Sequence, residues 1–347
     1  MSPGMTSSLL VLGGSAFVGH AVVAEGLERG YDVTTFNRGR TGEPPAGVTA
    51  LHGDRLDPST LGSLEDGAWD VVVDTWSGAP AAVRDAAVRL APRAGHYVYV
   101  SSGSVYPPPL AVGLDETAAT VVASADDADS GDYARAKRGG ELAAVAAFGD
   151  RALLGRCGTI LGPREDVGRL PWWLQRIARG GEVLAPAPPE RPLQFIDVRD
   201  LANFLLDAAA VGLGGPFNLV SRRGHATMAD LLQACLEATA DARTAEAELL
   251  WTGADVIEAC GIEPWTELPI WLPVGTEYEG MHGMDVERAH EAGLRCRSVQ
   301  ETVADTWRWM STLDGPPPVR DGRPAPGLSP VRERAALAAA AVRSCGQ

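Results

Sequence analysis

Lysine is almost absent from the sequence: of its 30 lysine and arginine residues, only Lys137 is a lysine. Arginine supplies every other permanent positive charge, so a position that keeps lysine is a candidate for chemistry that the wide guanidinium group does not fit. An excess of positive charge is also absent, since the formal net charge is −15. Binding the phosphate backbone requires a basic surface, and the composition therefore argues against a nucleic-acid partner.

Paired cysteines and long apolar runs are likewise missing. The five cysteines are scattered and odd in number, and no two of them have the spacing of a metal or redox site. We therefore expect no bound metal and a protein that resides in the reducing cytoplasm. No run approaches the ~18 apolar residues of a membrane span. The N-terminal MSPGMTSS lacks the basic and apolar regions of a signal peptide. We therefore expect a cytoplasmic protein without a membrane partner.

The first apolar run is followed by the pattern of a nucleotide-binding turn. The run at 9–12 ends in two glycines and an amphipathic stretch follows, which predicts a buried strand, a tight turn and a helix whose start is an anion site. Ala16 replaces the middle glycine of G-x-x-G-x-x-G, and its methyl is a small obstruction to a pyrophosphate. A plain strand–helix turn is the alternative. The candidate cofactor-binding residues of this turn are Gly13, Gly14, Ser15, Ala16, Phe17, Val18 and Gly19.

Strand and helix patterns alternate from the first apolar run to about residue 163. Strands are predicted at 9–12, 32–36, 48–52, 70–75, 96–101 and 152–161, and helices at 17–29, 79–91 and 132–147. Such alternation predicts an α/β fold, a Rossmann-like doubly wound parallel sheet, with a smaller C-terminal substrate-binding lobe. We divide the chain into a dinucleotide-binding domain (1–165), an interleaved substrate-binding lobe (166–312) and a Pro/Gly-rich linker with a terminal helix (313–347).

Polar residues after the next strands complete the predicted cofactor site. Asn37, Arg38 and Arg40 follow the second strand, where an acidic residue would bind ribose hydroxyls. Paired guanidinium groups suit a phosphate instead. We therefore expect NADP in preference to NAD, the alternative being solvated loop charges. Asp54 is expected to bind the adenine amino group or to start the next helix. The other cofactor-binding candidates at strand ends are Arg55, Trp76 and Ser77.

Tyr133 and Lys137 form the strongest catalytic signal. They are four residues apart, so a helix places them on one face. A free phenol has a pKa of about 10, and an adjacent ammonium stabilises the phenolate and lowers that pKa. We interpret Tyr133 as a general acid/base. We interpret Lys137 as the group that lowers the pKa of Tyr133 and also binds the cofactor ribose. A surface helix pair is the alternative.

The order of these motifs resembles one family. The glycine turn, the strand end SSGSVY, the YARAK pair and Gly162-Pro163 occur as in the extended short-chain dehydrogenase/reductases of the NAD-dependent epimerase/dehydratase type, over residues 9 to about 310. The resemblance implies that Ser102 hydrogen-bonds the substrate oxygen, with Ser104 as the fallback. It also implies a homodimer through the helix that carries Tyr133.

Departures from the family pattern narrow the function. Gly103 and Ser104 stand where 4,6-dehydratases carry an Asp-Glu pair, and Leu193 stands at the place of a diphosphate-binding arginine, with Arg191 two residues earlier. We expect an NAD(P)-dependent oxidoreductase that moves a hydride to or from a carbonyl or alcohol carbon of a small molecule. An NAD(P)-dependent epimerase of a sugar or sugar nucleotide, and a non-catalytic dinucleotide-binding sensor or RNA-associated protein, are the alternatives.

Candidate substrate contacts lie mostly in the second lobe. Large aromatic side chains often line apolar binding pockets, although they lie in the protein core more often. The candidates are Ser104, Trp172, Arg191, Trp265 and Trp271.

Overall fold

The computed structural model describes residues 7–40, 44–129, 131–243, 245–320, 322 and 324–344. The strands are β1 (Ser8–Leu12), β2 (Asp32–Asn37), β3 (Val48–His52), β4 (Trp69–Asp74), β5 (Ala94–Ser102), β6 (Ala152–Cys157), β7 (Thr159–Leu161), β8 (Gly181–Pro186), β9 (Pro192–Leu193), β10 (Phe195–Asp197), β11 (Gly215–Leu219), β12 (Ala226–Thr227) and β13 (Ala247–Thr252). The helices are α1 (Phe17–Glu28), α2 (Pro80–Leu90), α3 (Tyr133–Phe148), α4 (Arg169–Ala178), α5 (Val198–Ala210), α6 (Met228–Ala238), α7 (Ala254–Ala259), α8 (Glu287–Glu291), α9 (Val299–Met310) and α10 (Pro330–Ser344). Within these described ranges, none of the helices combines the length and apolarity that crossing a bilayer would need.

Seven strands form one parallel sheet in the order β11-β6-β5-β4-β1-β2-β3. The direction of strand succession reverses between β1 and β4. In open α/β sheets the ligand crevice lies beyond the carboxyl ends of the strands at such a reversal. The predicted doubly wound, Rossmann-like α/β fold is therefore confirmed, and the crevice lies between the ends of β1 and β4.

Strand β1 is buried on both faces, as a parallel strand covered by helices on each side must be. Leu9 and Val11 pack into the cluster that includes α5 side chains, whereas Leu10 and Leu12 pack into the cluster beneath α2 and α3. Alternate side chains of a strand point to opposite faces. The side chains of this apolar run thus alternate between two cores, one on each face of the sheet.

The predicted strand at 152–161 is two strands in the structure. Gly158 lies between them, its N–H donates to the carbonyl of Leu219 at 3.2 Å, and a Cβ there would lie 2.8 Å from Val220. Strand β6 stays in the central sheet while β7 leaves it and pairs with β10. The three predicted helices are present as α1, α2 and α3, with ends that differ by one residue from the predicted bounds.

Outside the central sheet, the described residues form three further two-stranded pairings, and a separate apolar core lies among the elements after β7. Strands β7 and β10 pair in parallel, as do β8 and β13, while β9 and β12 pair antiparallel. Trp173 lies in the centre of the core, among side chains of α4, α6 and α9. Leu328 and Leu337, from the C-terminal segment, belong to the same cluster. The terminal helix α10 therefore packs on the lobe of its own chain.

Candidate active site

The turn after β1 requires glycine at three places. Gly13 and Gly14 have φ angles of +119° and +20°, and a Cβ on Gly13 would collide with the hydroxyl of Thr75. A Cβ on Gly19 would lie 2.9 Å from the backbone nitrogen of Gly14. Ala16, in contrast, has φ −97° and is exposed, so that position does not need glycine. The alanine that departs from the glycine pattern is thus accommodated by the backbone.

The start of α1 has the features of an anion site. Its N-cap residue, Ala16, makes no side-chain hydrogen bond to the helix, and the first turn carries no acidic residue. Ser15 is exposed, Val18 is partly buried and Phe17 is buried, so Phe17 offers a ligand its backbone rather than its ring. Uncapped N–H groups at a helix start favour a phosphate.

The residues after β2 are open to solvent. Arg38 and Arg40 are exposed, and neither makes an ion pair with a residue that the structure describes. The Asn37 side chain accepts a hydrogen bond from the Gly39 N–H at 2.8 Å and so shapes the turn. Asp54 accepts from the Leu56 N–H at 3.0 Å, which is a local turn contact.

Arg55 is placed in the interior rather than at a cofactor surface. Its side chain is 6% exposed and donates to both carboxylate oxygens of Asp74, at 3.1 and 2.9 Å, and to the carbonyl of Ala82. The Tyr97 hydroxyl also donates to Asp74, at 2.6 Å. Our expectation of cofactor binding by Arg55 is corrected accordingly, because its guanidinium is engaged in holding the ends of β4 and α2 together.

Trp76 and Ser77 lie at the end of β4. The Trp76 indole donates to the carbonyl of Ala79 at 3.0 Å, and the guanidinium of Arg55 lies 5.4 Å from its ring centroid. Both Trp76 and Ser77 are partly exposed. Their backbone borders the crevice, since the Trp76 carbonyl is a partner of Lys137.

The ammonium of Lys137 is held between the ends of two strands. It donates to the carbonyls of Trp76 and Val100, each at 2.6 Å, and lies 4.9 Å from the ring centroid of Tyr99. The side chain is 3% exposed. Burial lowers the pKa of Lys137 from 10.5 to about 8, against the opposing attraction of Asp74. Two of the three ammonium N–H groups are thus used in positioning, which leaves one for a ligand.

Tyr133 is the first residue of α3, one turn before Lys137. The side chain of Asp132 caps the helix by accepting from the Arg135 N–H at 3.1 Å. Tyr133 is 40% exposed. Burial first, and then the charges of Asp74 and Tyr133, raise the pKa of Tyr99, and the Lys137 ammonium lies 4.9 Å from the Tyr99 ring centroid. Tyr133 and Lys137 thus lie one turn apart on α3, and their role as a catalytic pair stays a prediction.

The serines of the β5 end differ in their roles. Ser101 is buried and donates to Glu141 at 2.8 Å. Ser102 is partly exposed; its hydroxyl donates to the Ser104 hydroxyl and accepts from the Ser104 N–H, both at 3.1 Å. Ser104 is exposed. Ser102 thus has a fixed hydroxyl at the end of β5, with Ser104 beside it.

Sequence reasoning missed a buried ionic network behind this pair. Glu141, fully buried and one turn beyond Lys137, accepts from Arg156 at 2.9 and 3.1 Å and from Arg138 at 2.8 Å. Arg156 also donates to the Tyr106 hydroxyl at 2.9 Å. The spacing 133, 137, 141 on one helix face was the available signal, but the partner Arg156 is distant in sequence.

Arg164 was also absent from the predicted site. It has a φ of +71° in the turn after β7. Burial, and then the positive charge of Arg164, lower the pKa of His20 in the first turns of α1. The positive charge of Arg164 therefore acts on the first turns of α1.

The four predicted substrate residues of the second lobe have different surroundings. Trp271 is 1% exposed and lies in the core, which corrects its assignment as a substrate contact. Trp172 packs edge-on against Trp173, with 4.6 Å between their ring centroids. The guanidinium of Arg169 lies 5.2 Å from the ring centroid of Trp265. Both rings are partly buried.

Arg191 is buried but incompletely paired. Its Nη1 lies 3.3 Å from a carboxylate oxygen of Glu279 and its Nη2 lies 3.5 Å from the carbonyl of Pro273. Its Nε atom has no hydrogen-bond partner among the described residues. A buried, unpartnered N–H of a guanidinium indicates room for an acceptor.

The described residues contain no group of three or more His, Cys, Asp or Glu side chains that could hold a metal ion.

Comparison with known proteins agrees with this geometry. A family model described as the NAD dependent epimerase/dehydratase family matches residues 9–219. No curated protein matches the sequence. Among solved structures, a protein of Burkholderia cenocepacia J2315 has 20% identity and a TM-score of 0.67, covering 89% of this chain and 100% of its own.

Two further structures are similar over comparable lengths. The enzyme WbmH of Bordetella bronchiseptica, solved with NAD+, has 19% identity and a TM-score of 0.64, covering 89% of this chain and 100% of its own. A UDP-glucose 4-epimerase of Thermotoga maritima, solved with UDP-glucose, has 18% identity and a TM-score of 0.61, covering 88% and 98%. At these identities the similarity shows the fold, while the family model covers more than half of the chain. The chain therefore belongs to the NAD dependent epimerase/dehydratase family and is an NAD-dependent enzyme.

Proposed function

We propose that this chain is an oxidoreductase of the extended short-chain type, which moves a hydride to or from a carbonyl or alcohol carbon with Tyr133 as the acid/base. The observation that carries the proposal is the pairing of Tyr133 with Lys137 at the start of α3. Lys137 is the sole lysine of the chain, and its ammonium is fixed by two carbonyls 2.6 Å away. A fixed positive charge one helical turn from a phenol stabilises the phenolate.

The turn after β1 fits a dinucleotide. Glycine at positions 13 and 19 lets the turn pack tightly against Thr75 and Gly14. Helix α1 begins without a side-chain cap, so its first backbone N–H groups can bind a pyrophosphate. Bound there, a nicotinamide dinucleotide supplies the carbon that accepts or gives up the hydride. NADP is the proposed form, because exposed Arg38 and Arg40 suit a 2′-phosphate.

Proton movement is assigned to the side chains of α3 and β5. In reduction, the Tyr133 hydroxyl gives its proton to the substrate oxygen; in oxidation, the phenolate takes the proton of the alcohol. When substrate binds, the Ser102 hydroxyl turns its single proton from the Ser104 hydroxyl to the same oxygen. The Ser104 N–H still donates to the Ser102 oxygen and holds it in place. Because Tyr133 is 40% exposed, its proton exchanges with solvent between turnovers.

Epimerisation of a sugar nucleotide is the second candidate function. The Thermotoga maritima epimerase, to which this chain is similar, was solved with UDP-glucose. The buried Nε of Arg191, which has no partner among the described residues, is the specific observation in its favour, because a diphosphate would supply an acceptor.

The first test is binding and turnover of Tyr133→Phe. We expect wild-type protein to bind NADPH more tightly than NADH by fluorescence titration. Tyr133→Phe should keep the affinity for NADPH and lower turnover by ~10²-fold or more, since the proton donor is lost. Tyr31→Phe is the matched control and should behave as wild type. Tyr31 precedes β2 and so lies at the amino end of that strand, whereas the crevice lies at the carboxyl ends. Equal turnover in Tyr133→Phe would refute the acid/base assignment.

The two candidate reactions are separated by the fate of the cofactor. A reductase consumes NADPH in proportion to carbonyl substrate, measured at the nicotinamide absorbance. An epimerase converts UDP-glucose into its 4-epimer with no net change in that absorbance. A protein that binds neither dinucleotide contradicts both.

A further inference from the structure

Tyr99 lies directly against the Lys137 ammonium. Its side chain is fully buried, and the ammonium nitrogen lies 4.9 Å from its ring centroid. The Tyr99 hydroxyl donates to the carbonyl of Trp76 at 3.2 Å, and the same carbonyl accepts from Lys137 at 2.6 Å. The second carbonyl that holds the ammonium belongs to Val100, the next residue of β5. One aromatic residue is therefore in contact with both the cation and the backbone that binds it.

The Tyr99 ring is held in place by helix α3 itself. A Cβ on Gly140 would collide with the ring and with its hydroxyl, and Gly140 lies about one turn beyond Lys137 on the same helix. The ring belongs to the apolar cluster that also contains side chains of α2 and α3. It can therefore move away from the ammonium only if α3 moves as well.

The surroundings of Lys137 disfavour a positive charge. Its side chain is 3% exposed, and burial lowers its pKa to about 8. The other groups that act on it are Asp74 of β4, Cys157 of β6 and Glu141 of α3, which raise the pKa, and Arg320, which lowers it. A further fall of about one unit would leave about half of the molecules with a neutral amine at pH 7. The charge of Lys137 near neutrality therefore depends on every neighbour that favours the protonated form.

The face of an aromatic ring is such a neighbour. It carries partial negative charge and attracts a cation that lies within about 6 Å of the ring centroid, most strongly where water is excluded. The Lys137 ammonium meets both conditions at the Tyr99 ring. Because the attraction acts on the protonated amine alone, we expect the ring to raise the pKa of Lys137.

Building on the proposed function, we propose that Tyr99 is a positioning residue, whose ring face holds the Lys137 amine in its charged form at the ends of β4 and β5. Since Tyr99 is fully buried, it acts through Lys137 rather than on the substrate. The charged form of Lys137 is the one that stabilises the Tyr133 phenolate. The ring thus sets the pH range in which the proposed pair works.

The single lysine makes a direct test possible. Cofactor-free protein grown with ε-¹³C-lysine gives one side-chain signal, from Lys137, whose pH titration measures the pKa of that residue. Tyr99→Phe keeps the ring and should keep the wild-type pKa. Trifluorophenylalanine at position 99 has nearly the shape of phenylalanine but a less negative ring face, and it should lower the pKa of Lys137 by about half a unit or more. Tyr99→Leu removes the ring and should lower that pKa by about one unit or more.

A matched control separates the ring face from repacking of the core. Phe36 belongs to the same apolar cluster but lies on β2, which β4 and β1 separate from β5. Trifluorophenylalanine at position 36 should leave the pKa of Lys137 unchanged. If Tyr99→Leu does not fold, the comparison of phenylalanine with trifluorophenylalanine at position 99 decides the question.

Two results would overturn the proposal. One is an equal pKa of Lys137 with phenylalanine and with trifluorophenylalanine at position 99. The other is a fall in Tyr99→Phe as large as in Tyr99→Leu, which would assign the effect to the hydroxyl. The titration needs neither cofactor nor substrate. Unchanged turnover in Tyr133→Phe would therefore refute the proposed function and leave the result for Tyr99 in place.

Discussion

Arginine does not fit the place of Lys137. The ammonium is a compact donor that reaches two carbonyls, of Trp76 and Val100, while 3% exposed. A guanidinium is planar and wider, and it brings five N–H donors of which two carbonyls satisfy only a part. A chain that uses arginine everywhere else keeps lysine here because the cavity at the ends of β4 and β5 accepts a small cation.

The proposed preference for NADP rests on the two exposed arginines after β2, Arg38 and Arg40. We expect the double variant Arg38→Ala/Arg40→Ala to weaken NADPH binding about tenfold or more, since charge-assisted hydrogen bonds to the 2′-phosphate are lost. NADH affinity should stay unchanged. Fluorescence titration with both dinucleotides measures the difference, with Arg334→Ala as a control. An equal loss for NADPH and NADH would assign the arginines to another part of the cofactor.

At the scale of elements, helix α3 carries both the proposed reacting groups and a buried ion pair. Glu141 lies one turn beyond Lys137 and meets Arg156 of β6 in the interior. Gly140 allows close packing of α3, because a Cβ there would collide with the Tyr99 hydroxyl. The position of the proposed catalytic pair is therefore fixed by this ion pair as well as by apolar contacts.

Loss of that ion pair should be costly. Glu141→Gln leaves the buried guanidinium of Arg156 without its counter-charge, so we expect the free energy of unfolding to fall by about 3–5 kcal/mol. Urea denaturation measures it, with exposed Glu237→Gln as the control. Adding Arg156→Met to Glu141→Gln removes the unpaired charge and should recover part of the loss. A double variant less stable than Glu141→Gln would contradict this explanation.

Local periodicity predicted the elements of the first half of the chain, but not the contacts between distant residues. Strands β1 to β5 and helices α1 to α3 follow apolar patterns and lie where they were expected. The split at Gly158 was missed because β6 and β7 read as one apolar run. The pairing of Arg55 with Asp74 and the burial of Trp271 depend on tertiary packing, which residue type alone does not indicate.

The site was predictable to the same extent. The four-residue spacing of Tyr133 and Lys137 is local, and both residues lie in the first two turns of α3 as predicted. Glu141 pairs with Arg156, which is distant along the chain. Its contact therefore needed the folded arrangement.

At the scale of the whole molecule, the C-terminal helix completes the core of the second lobe. Glu333 of α10 pairs with Arg176 of α4 at 2.6 Å, and both side chains are buried. Glu333 also accepts from the Leu184 N–H at 3.2 Å. Helix α10 is thus anchored in the interior by a buried ion pair as well as by apolar contacts. The homodimer implied by the family resemblance stays a prediction.

Removing this anchor should destabilise the lobe. Glu333→Gln leaves Arg176 buried without a counter-charge, and we expect a loss of about 3–5 kcal/mol in the free energy of unfolding. Thermal and urea denaturation measure it, with exposed Glu258→Gln on neighbouring α7 as the control. Unchanged stability in Glu333→Gln would show that α10 is held by apolar packing alone.

The burial of the sole ε-amine has a practical consequence. Reagents that acylate amines can reach Lys137 only through the crevice, because its side chain is 3% exposed, so the rate of its acylation in the intact protein measures how accessible the crevice is. No surface lysine competes for the reagent. A compound that closes the crevice would slow the acylation, which makes this rate a screen for ligands that requires no knowledge of the reaction.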